Sequence, residues 1–160
     1  MRSSLHVMLV ALFLFSGCAL KHEINSSQAY LVTIKNPDMA LSDTGFLNRG
    51  KDYTNVQIFA AGNALFNLEI TENTICLNGR CFDKVSFNQE FFHQKHYATF
   101  MEEIINHQPL YGGMQLHKTA TGFEQELDLP QSHIHYNVDG ETLLFKDTKN
   151  SILIRLKLLP

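Results

Sequence analysis

The chain has 160 residues, 44% hydrophobic and 18% charged, which suffices for one ordinary domain and excludes a collagen-like, low-complexity or mainly disordered polypeptide. Sixteen acidic residues against 13 basic ones give a formal charge of −3, so there is no basic surplus to neutralise phosphates, and nucleic acid is not an expected partner.

At the N-terminus, Arg2 precedes an uninterrupted apolar run over residues 7–15. Such a run spans about half of the ~30 Å hydrocarbon core, which predicts a secretory signal peptide over residues 1–17 and not a permanent transmembrane helix. It leads directly into Phe15-Ser16-Gly17-Cys18, which resembles the lipobox of bacterial lipoproteins, with small residues in the two positions before a cysteine. The resemblance implies cleavage before Cys18, acylation of that cysteine with palmitate-type chains, and a membrane anchor well beyond the marginal hold of one myristoyl group. Ala19, in place of an aspartate, implies sorting to the outer membrane, with the domain on its periplasmic face.

Residues 18–28 are polar and lack a sustained period, so they read as the lipidated cysteine and a short tether. A single β-rich domain is expected over 29–160. Tyr30, Val32 and Ile34 share one face of a strand, Val56, Ile58 and Ala60 a second, and Ala64, Phe66, Leu68 and Ile70 a third. Later, Phe123, Gln125, Leu127 and Leu129 alternate with Glu124, Glu126 and Asp128, and Ile134, Tyr136 and Val138 alternate with His133, His135 and Asn137. Asp139-Gly140 reads as a hairpin turn, Leu143 and Phe145 follow, and Ile152, Ile154, Leu156 and Leu158 close the chain.

The segment 93–107 breaks the period of two. Tyr97, Phe100, Met101, Ile104 and Ile105 fall at helical spacing, which predicts one long amphipathic helix ended by Pro109 and Gly112-Gly113. The expected fold is therefore mainly β (α+β): about nine to eleven antiparallel strands in a strongly curved sheet or half-barrel, with one long covering helix.

In Ile75-Cys76-Leu77-Asn78-Gly79-Arg80-Cys81-Phe82, the Asn-Gly pair predicts a two-residue hairpin turn. Leu77 and Arg80 then flank the turn, and Cys76 faces Cys81 in a non-hydrogen-bonded pair with Cα atoms about 4.5 Å apart, within reach of a disulfide. An exported chain meets an oxidising compartment, and with Cys18 acylated this pair is what remains. A redox-active dithiol would want closer spacing at a helix start, and a zinc site would want two further ligands.

His133 and His135 point the same way from one strand, but no cysteine or carboxylate lies at ligand spacing along the chain, so they read as solvated side chains; no metal and no cofactor are expected. Glu102-Glu103 likewise reads as a solvated helix face. There is no Gly-x-Ser-x-Gly, no His-Glu-x-x-His and no glycine-rich phosphate loop, so the chain does not read as an enzyme.

The order of elements, with early hairpins, a central helix, late strands opening at Gly122-Phe123, Leu129-Pro130 and a terminal Ile152-Leu153-Ile154-Arg155-Leu156 strand, resembles the LolB-type outer-membrane lipoprotein receptors. That resemblance implies an eleven-stranded half-barrel that takes lipoproteins from a periplasmic carrier. An apolar cavity would then be lined by Phe66, Leu68, Ile70, Phe100, Ile104, Ile105, Phe123, Leu127 and Leu129, and an apolar residue, Leu65, would project from an early loop. The competing expectation is an accessory lipoprotein that braces an outer-membrane assembly, with the apolar Pro109-Leu110-Tyr111-Gly112-Gly113-Met114 segment as its docking surface.

Overall fold

The structure, a computed structural model, describes residues 22–160. The expected signal peptide, the lipobox-like segment with Cys18 and the first residues read as tether lie outside the described residues. The described chain begins with a long hairpin, β1 (Ile24–Asn36) and β2 (Met39–Gly50), and continues as a meander through β3 (Tyr53–Ala60), β4 (Asn63–Thr71), β5 (Thr74–Leu77) and β6 (Arg80–Asp83). Two short helices follow, α1 (Lys84–Phe92) and α2 (Phe100–Ile105), then a single 3₁₀ turn at Tyr111–Gly113. A second meander runs through β7 (Leu116–Lys118), β8 (Gly122–Asp128), β9 (His133–Asp139), β10 (Thr142–Asp147) and β11 (Ile152–Leu158).

All eleven strands belong to one open antiparallel sheet in the order β6-β5-β4-β3-β2-β1-β11-β10-β9-β8-β7. The two meanders are welded where the first strand meets the last, with Tyr30 opposite Leu158 and Lys35 opposite Leu153. The edges are thus β6 and β7, the two strands that flank the helical segment in sequence. Both are short, at four and three residues, which limits the unpaired backbone they present to other chains. Among the described residues no helix is long and apolar enough to cross a membrane.

One face of the sheet carries the core. Tyr30, Val32, Ile34, Leu47, Val56, Ile58, Phe66, Leu68, Ile70, Leu127, Ile134, Tyr136, Phe145 and Ile154 point inward and pack with Phe87, Phe91, Phe92, Phe100, Met101, Ile104 and Ile105 of the helices. The aromatic rings meet edge to face, as their quadrupoles favour: Phe92 with Phe100 at 4.9 Å and with Phe145 at 5.8 Å.

Several expectations are corrected. Residues 24–28, read as tether, are already paired in β1 against β2. Strand β2 carries Ser42, Asp43 and Thr44 and two glycines, so its alternation is weak. Gly45 nevertheless sits in the ladder because a side chain there would collide with the carbonyl oxygen of Gln57 on β3. The one long helix expected within 93–107 is reduced to the short α2, and a second short helix, α1, precedes that span. α1 starts at Asp83, whose carboxylate accepts from the Ser86 N–H as an N-cap, and stops at His93, which adopts a left-handed conformation at φ 51°. Phe100, Met101, Ile104 and Ile105 are buried as the period requires, but only Phe100–Ile105 is helical. Buried Asn88 ties the intervening stretch down, its amide donating to the carbonyls of Tyr97 and Ala98 at 2.7 and 3.2 Å. The β9–β10 turn centres on Gly140-Glu141, one residue later than read, because Asp139 still pairs with Thr142.

The 109–114 segment is tucked in at Leu110, while Met114 at its end stands 47% exposed. Leu110 is fully buried, and the Gln125 side chain on β8 clamps the segment beneath the sheet: its oxygen accepts from Leu110 N–H at 2.7 Å, and its amide donates to the carbonyls of Leu110 and Met114 at 3.0 and 2.7 Å.

Candidate functional site

Antiparallel register sorts the loops into two ends. One end holds the start of β1, the β2–β3 turn at Lys51-Asp52, the β4–β5 turn at Glu72-Asn73, and the β9–β10 turn. The described chain starts at this end, which is called the anchor end after the lipid attachment expected at Cys18. The far end holds the β1–β2, β3–β4, β5–β6, β8–β9 and β10–β11 turns.

A cleft opens toward the far end because the edge hairpin is too short to flank all of β4: Ile75–Leu77 pairs only with Leu68–Ile70. Asn36, Asp38 and Met39 from the β1–β2 turn, Leu77, Arg80 and Phe82 from the edge hairpin, and Phe87, Glu90 and Phe91 from α1 line it, enclosing about 170 Å³ with mainly apolar walls. Asn36 organises its lip. Its side-chain oxygen accepts from the N–H groups of Asp38 and Met39 at 3.0 and 2.9 Å, and its amide donates to the Phe91 carbonyl at the end of α1 at 3.1 Å. Arg80 lies over the Phe82 ring at 4.8 Å and within 3.8 Å of Glu90, an exposed contact of small energetic weight.

The edge hairpin itself is cross-linked. Leu77 pairs with Arg80, Cys76 with Cys81, and the two cysteines form a disulfide with Cα atoms 3.9 Å apart, as the register required. Asn78 and Gly79 take φ values of 50° and 84°, the left-handed pair such a turn needs.

Of the residues expected to line a cavity, Phe66, Leu68, Ile70, Phe100, Ile104, Ile105 and Leu127 come together in the buried core, with Phe123 and Leu129 packed at its margin. Their space is occupied by the helices. The far-end cleft is bounded by a different set, reached only by bringing together three separate chain segments. Leu65 stands 49% exposed near the tip of the β3–β4 hairpin, at an irregularity that leaves it unpaired between the Ile58–Phe66 and Phe59–Ala64 pairs. On the outer face, Phe46 is 41% exposed and meets Phe59 at 6.0 Å.

A second hollow, polar and about 620 Å³, lies at the anchor end between Arg49, Lys51, Asp52, Tyr53, Glu72, Lys84, Glu102 and their neighbours. Lys84 is buried and its ammonium meets Glu102 at 2.6 Å, so Glu102 is an ion-pair partner and not merely a solvated acid. Glu103 is engaged as well, accepting from the Tyr97 and Thr99 hydroxyls.

His96 is buried and lines a different hollow with Tyr111 and Leu129, and His107 is half-buried between Asn106 and Gln108 of the polar one. His96 stacks on Phe100 at 3.8 Å with Nδ1 2.9 Å from the Tyr111 hydroxyl, and burial pulls its pKa down to about 4 against an opposing pull from the Asp147 carboxylate. His107 is also lowered to about 4, by burial first and then by the Arg49 charge, with Glu141 opposing. His133 and His135 are not simply solvated: Glu126, opposite His135 on β8, accepts from His135 Nδ1 at 2.8 Å and lies 2.9 Å from His133 Nε2. Among the described residues no group of three or more histidine, cysteine or acidic side chains is arranged to hold a metal.

Sequence reasoning missed Asn36, Lys84 and His96. Asp83 followed by Phe87 and Phe91 at i+4 and i+8 was the signal for α1, and with it for the cleft wall. No family model matches the chain, and no curated protein matches it in sequence.

Proposed function

We propose that this chain is a non-enzymatic lipoprotein, anchored through Cys18 to the periplasmic face of the outer membrane, that receives acyl chains of other lipoproteins in the manner of LolB-type receptors. In this reading the open sheet curls into a half-barrel, and α1 with α2 forms a plug that an incoming chain displaces. The observation that carries it is the apolar far-end cleft beneath α1, in an eleven-stranded open antiparallel sheet covered on one face by short helices alone. A volume near 170 Å³ is comparable to cavities of about 150 Å³ that take up benzene, enough to admit the tip of an acyl chain before the plug moves. The cleft opens away from the anchor, toward a soluble carrier. Leu65 sits at that same end.

The outer-face pair Phe46–Phe59 favours a second reading, an accessory lipoprotein that braces an outer-membrane assembly through an exposed apolar patch.

The test is saturable binding of a palmitoylated peptide to the purified full chain. The receptor reading expects micromolar affinity, reduced about tenfold or more by Met39→Glu, because a carboxylate at the lip resists desolvation by an apolar chain. Absence of binding at micromolar concentration contradicts it. In cells, Cys18→Ala should abolish partition into the detergent phase, since the thiol is the lipid attachment site.

A further inference from the structure

We infer that the polar hollow at the anchor end binds a zwitterionic phospholipid headgroup, a phosphodiester joined to a primary ammonium. The inference deepens the proposed function and rests on its Cys18 anchor.

Position comes first. His22 is four residues beyond Cys18, a span of at most about 14 Å when fully extended. Its ring stacks on Tyr53 at a centroid distance of 4.3 Å, and Tyr53 forms part of the hollow's wall. An acylated Cys18 therefore holds this wall within one short tether of the membrane surface.

Charge selects the ligand. Lys84 and Glu102 neutralise one another at 2.6 Å. Arg49 and Lys51 then remain on the β2–β3 side, against Asp52 beside them and Glu72 on the β4–β5 turn. A simple anion is repelled by the two carboxylates and a simple cation by the two bases. A molecule carrying both charges satisfies both pairs: Arg49, whose Nη1 donates to Gln28 Oε1 at 3.3 Å, keeps its other guanidinium N–H groups for phosphate oxygens, and Glu72 accepts hydrogen bonds from an ammonium. A primary ammonium is favoured over a quaternary one because carboxylates and the polar groups of Thr54, Asn106 and Gln108 line the hollow, whereas a choline group calls for an aromatic cage. Ile70 adds an apolar surface for the glycerol backbone.

Equilibrium dialysis of the full lipidated chain in a nonionic detergent tests this, with labelled glycerophosphoethanolamine as the probe and glycerophosphocholine and inorganic phosphate as separate arms. The expected result is saturable binding of one probe per chain, about tenfold tighter than either comparison compound. Lys51→Gln and Glu72→Gln, both at a turn, should each weaken it about fivefold or more without changing the melting temperature. Dihexanoyl phosphatidylethanolamine should compete at least as well as the deacylated probe, which identifies a lipid as the source; weaker competition by the lipid overturns the lipid assignment. No saturable binding, equal retention of inorganic phosphate, or indifference to both substitutions also overturns the site. Intact mass of the same preparation separates the failures: an acylated chain that retains no probe overturns this inference alone, and an unacylated Cys18 overturns the anchor as well.

Discussion

The side-chain amide of Gln125 reads both backbone groups of Leu110, accepting from its N–H at 2.7 Å and donating to its C=O at 3.0 Å. A buried glutamine on the inward face of a strand is costly unless every polar atom finds a partner, and here it substitutes for a strand partner that the 109–114 segment lacks. Replacing it with methionine keeps the volume and leaves the Leu110 groups unpaired, at about 1–3 kcal/mol each. Gln125→Met should therefore destabilise the domain by about 2–5 kcal/mol in urea melts at neutral pH. A loss below about 0.5 kcal/mol would show that water or a rearranged loop serves those groups equally well.

The Cys76–Cys81 disulfide closes a short loop, so its effect on the unfolded chain is modest, about 2 kcal/mol on the entropic account. Reduction should lower the melting temperature by roughly 5–10 °C in a domain of this size while the fold persists, because Ile75 and Phe82 still pack at the core. Thermal melts with and without reductant measure this. Complete unfolding on reduction would mean that the edge hairpin has no stability without its cross-link.

Burial makes His96 and His107 sensors of acid unfolding. Both have folded pKa values lowered to about 4, below the ordinary 6.5 of the unfolded chain. The unfolded state therefore takes up protons first as pH falls, and the contribution is full above about 6.5 and lost progressively down to about 4. For His96 alone the span corresponds to about 2–4 kcal/mol. Urea midpoints should fall steeply between pH 6.5 and 4, and His96→Phe should flatten part of that slope. An unchanged slope in the variant would place the titration elsewhere.

How much could be read from the sequence follows from how local each feature is. Strands β4, β8, β9 and β11 alternate cleanly, and their inward residues Phe66, Leu127, Ile134 and Ile154 are buried as the period demands. The disulfide was legible for the same reason, since Asn78-Gly79 sets the turn and the turn sets the register. Strand β2 was hidden by Gly45 and by Ser42-Asp43-Thr44, residues whose place in the ladder depends on neighbours distant in sequence. α1 was obscured by Asn88, a polar residue on a buried face whose hydrogen bonds are tertiary. The far-end cleft was not legible at all, because Asn36, Leu77 and Phe91 converge only once the short edge hairpin leaves room for α1 against β1.

The most direct test of the receptor account is site-specific photocrosslinking of a palmitoylated peptide to the full lipidated chain, with a photoreactive residue placed either at Met39, on the lip of the cleft, or at Phe46, on the outer face of the sheet. The account predicts an acyl adduct at Met39 that free palmitoylated peptide competes away, and none at Phe46. Capture at Phe46 with none at Met39 would contradict it and assign the working surface to the outer face.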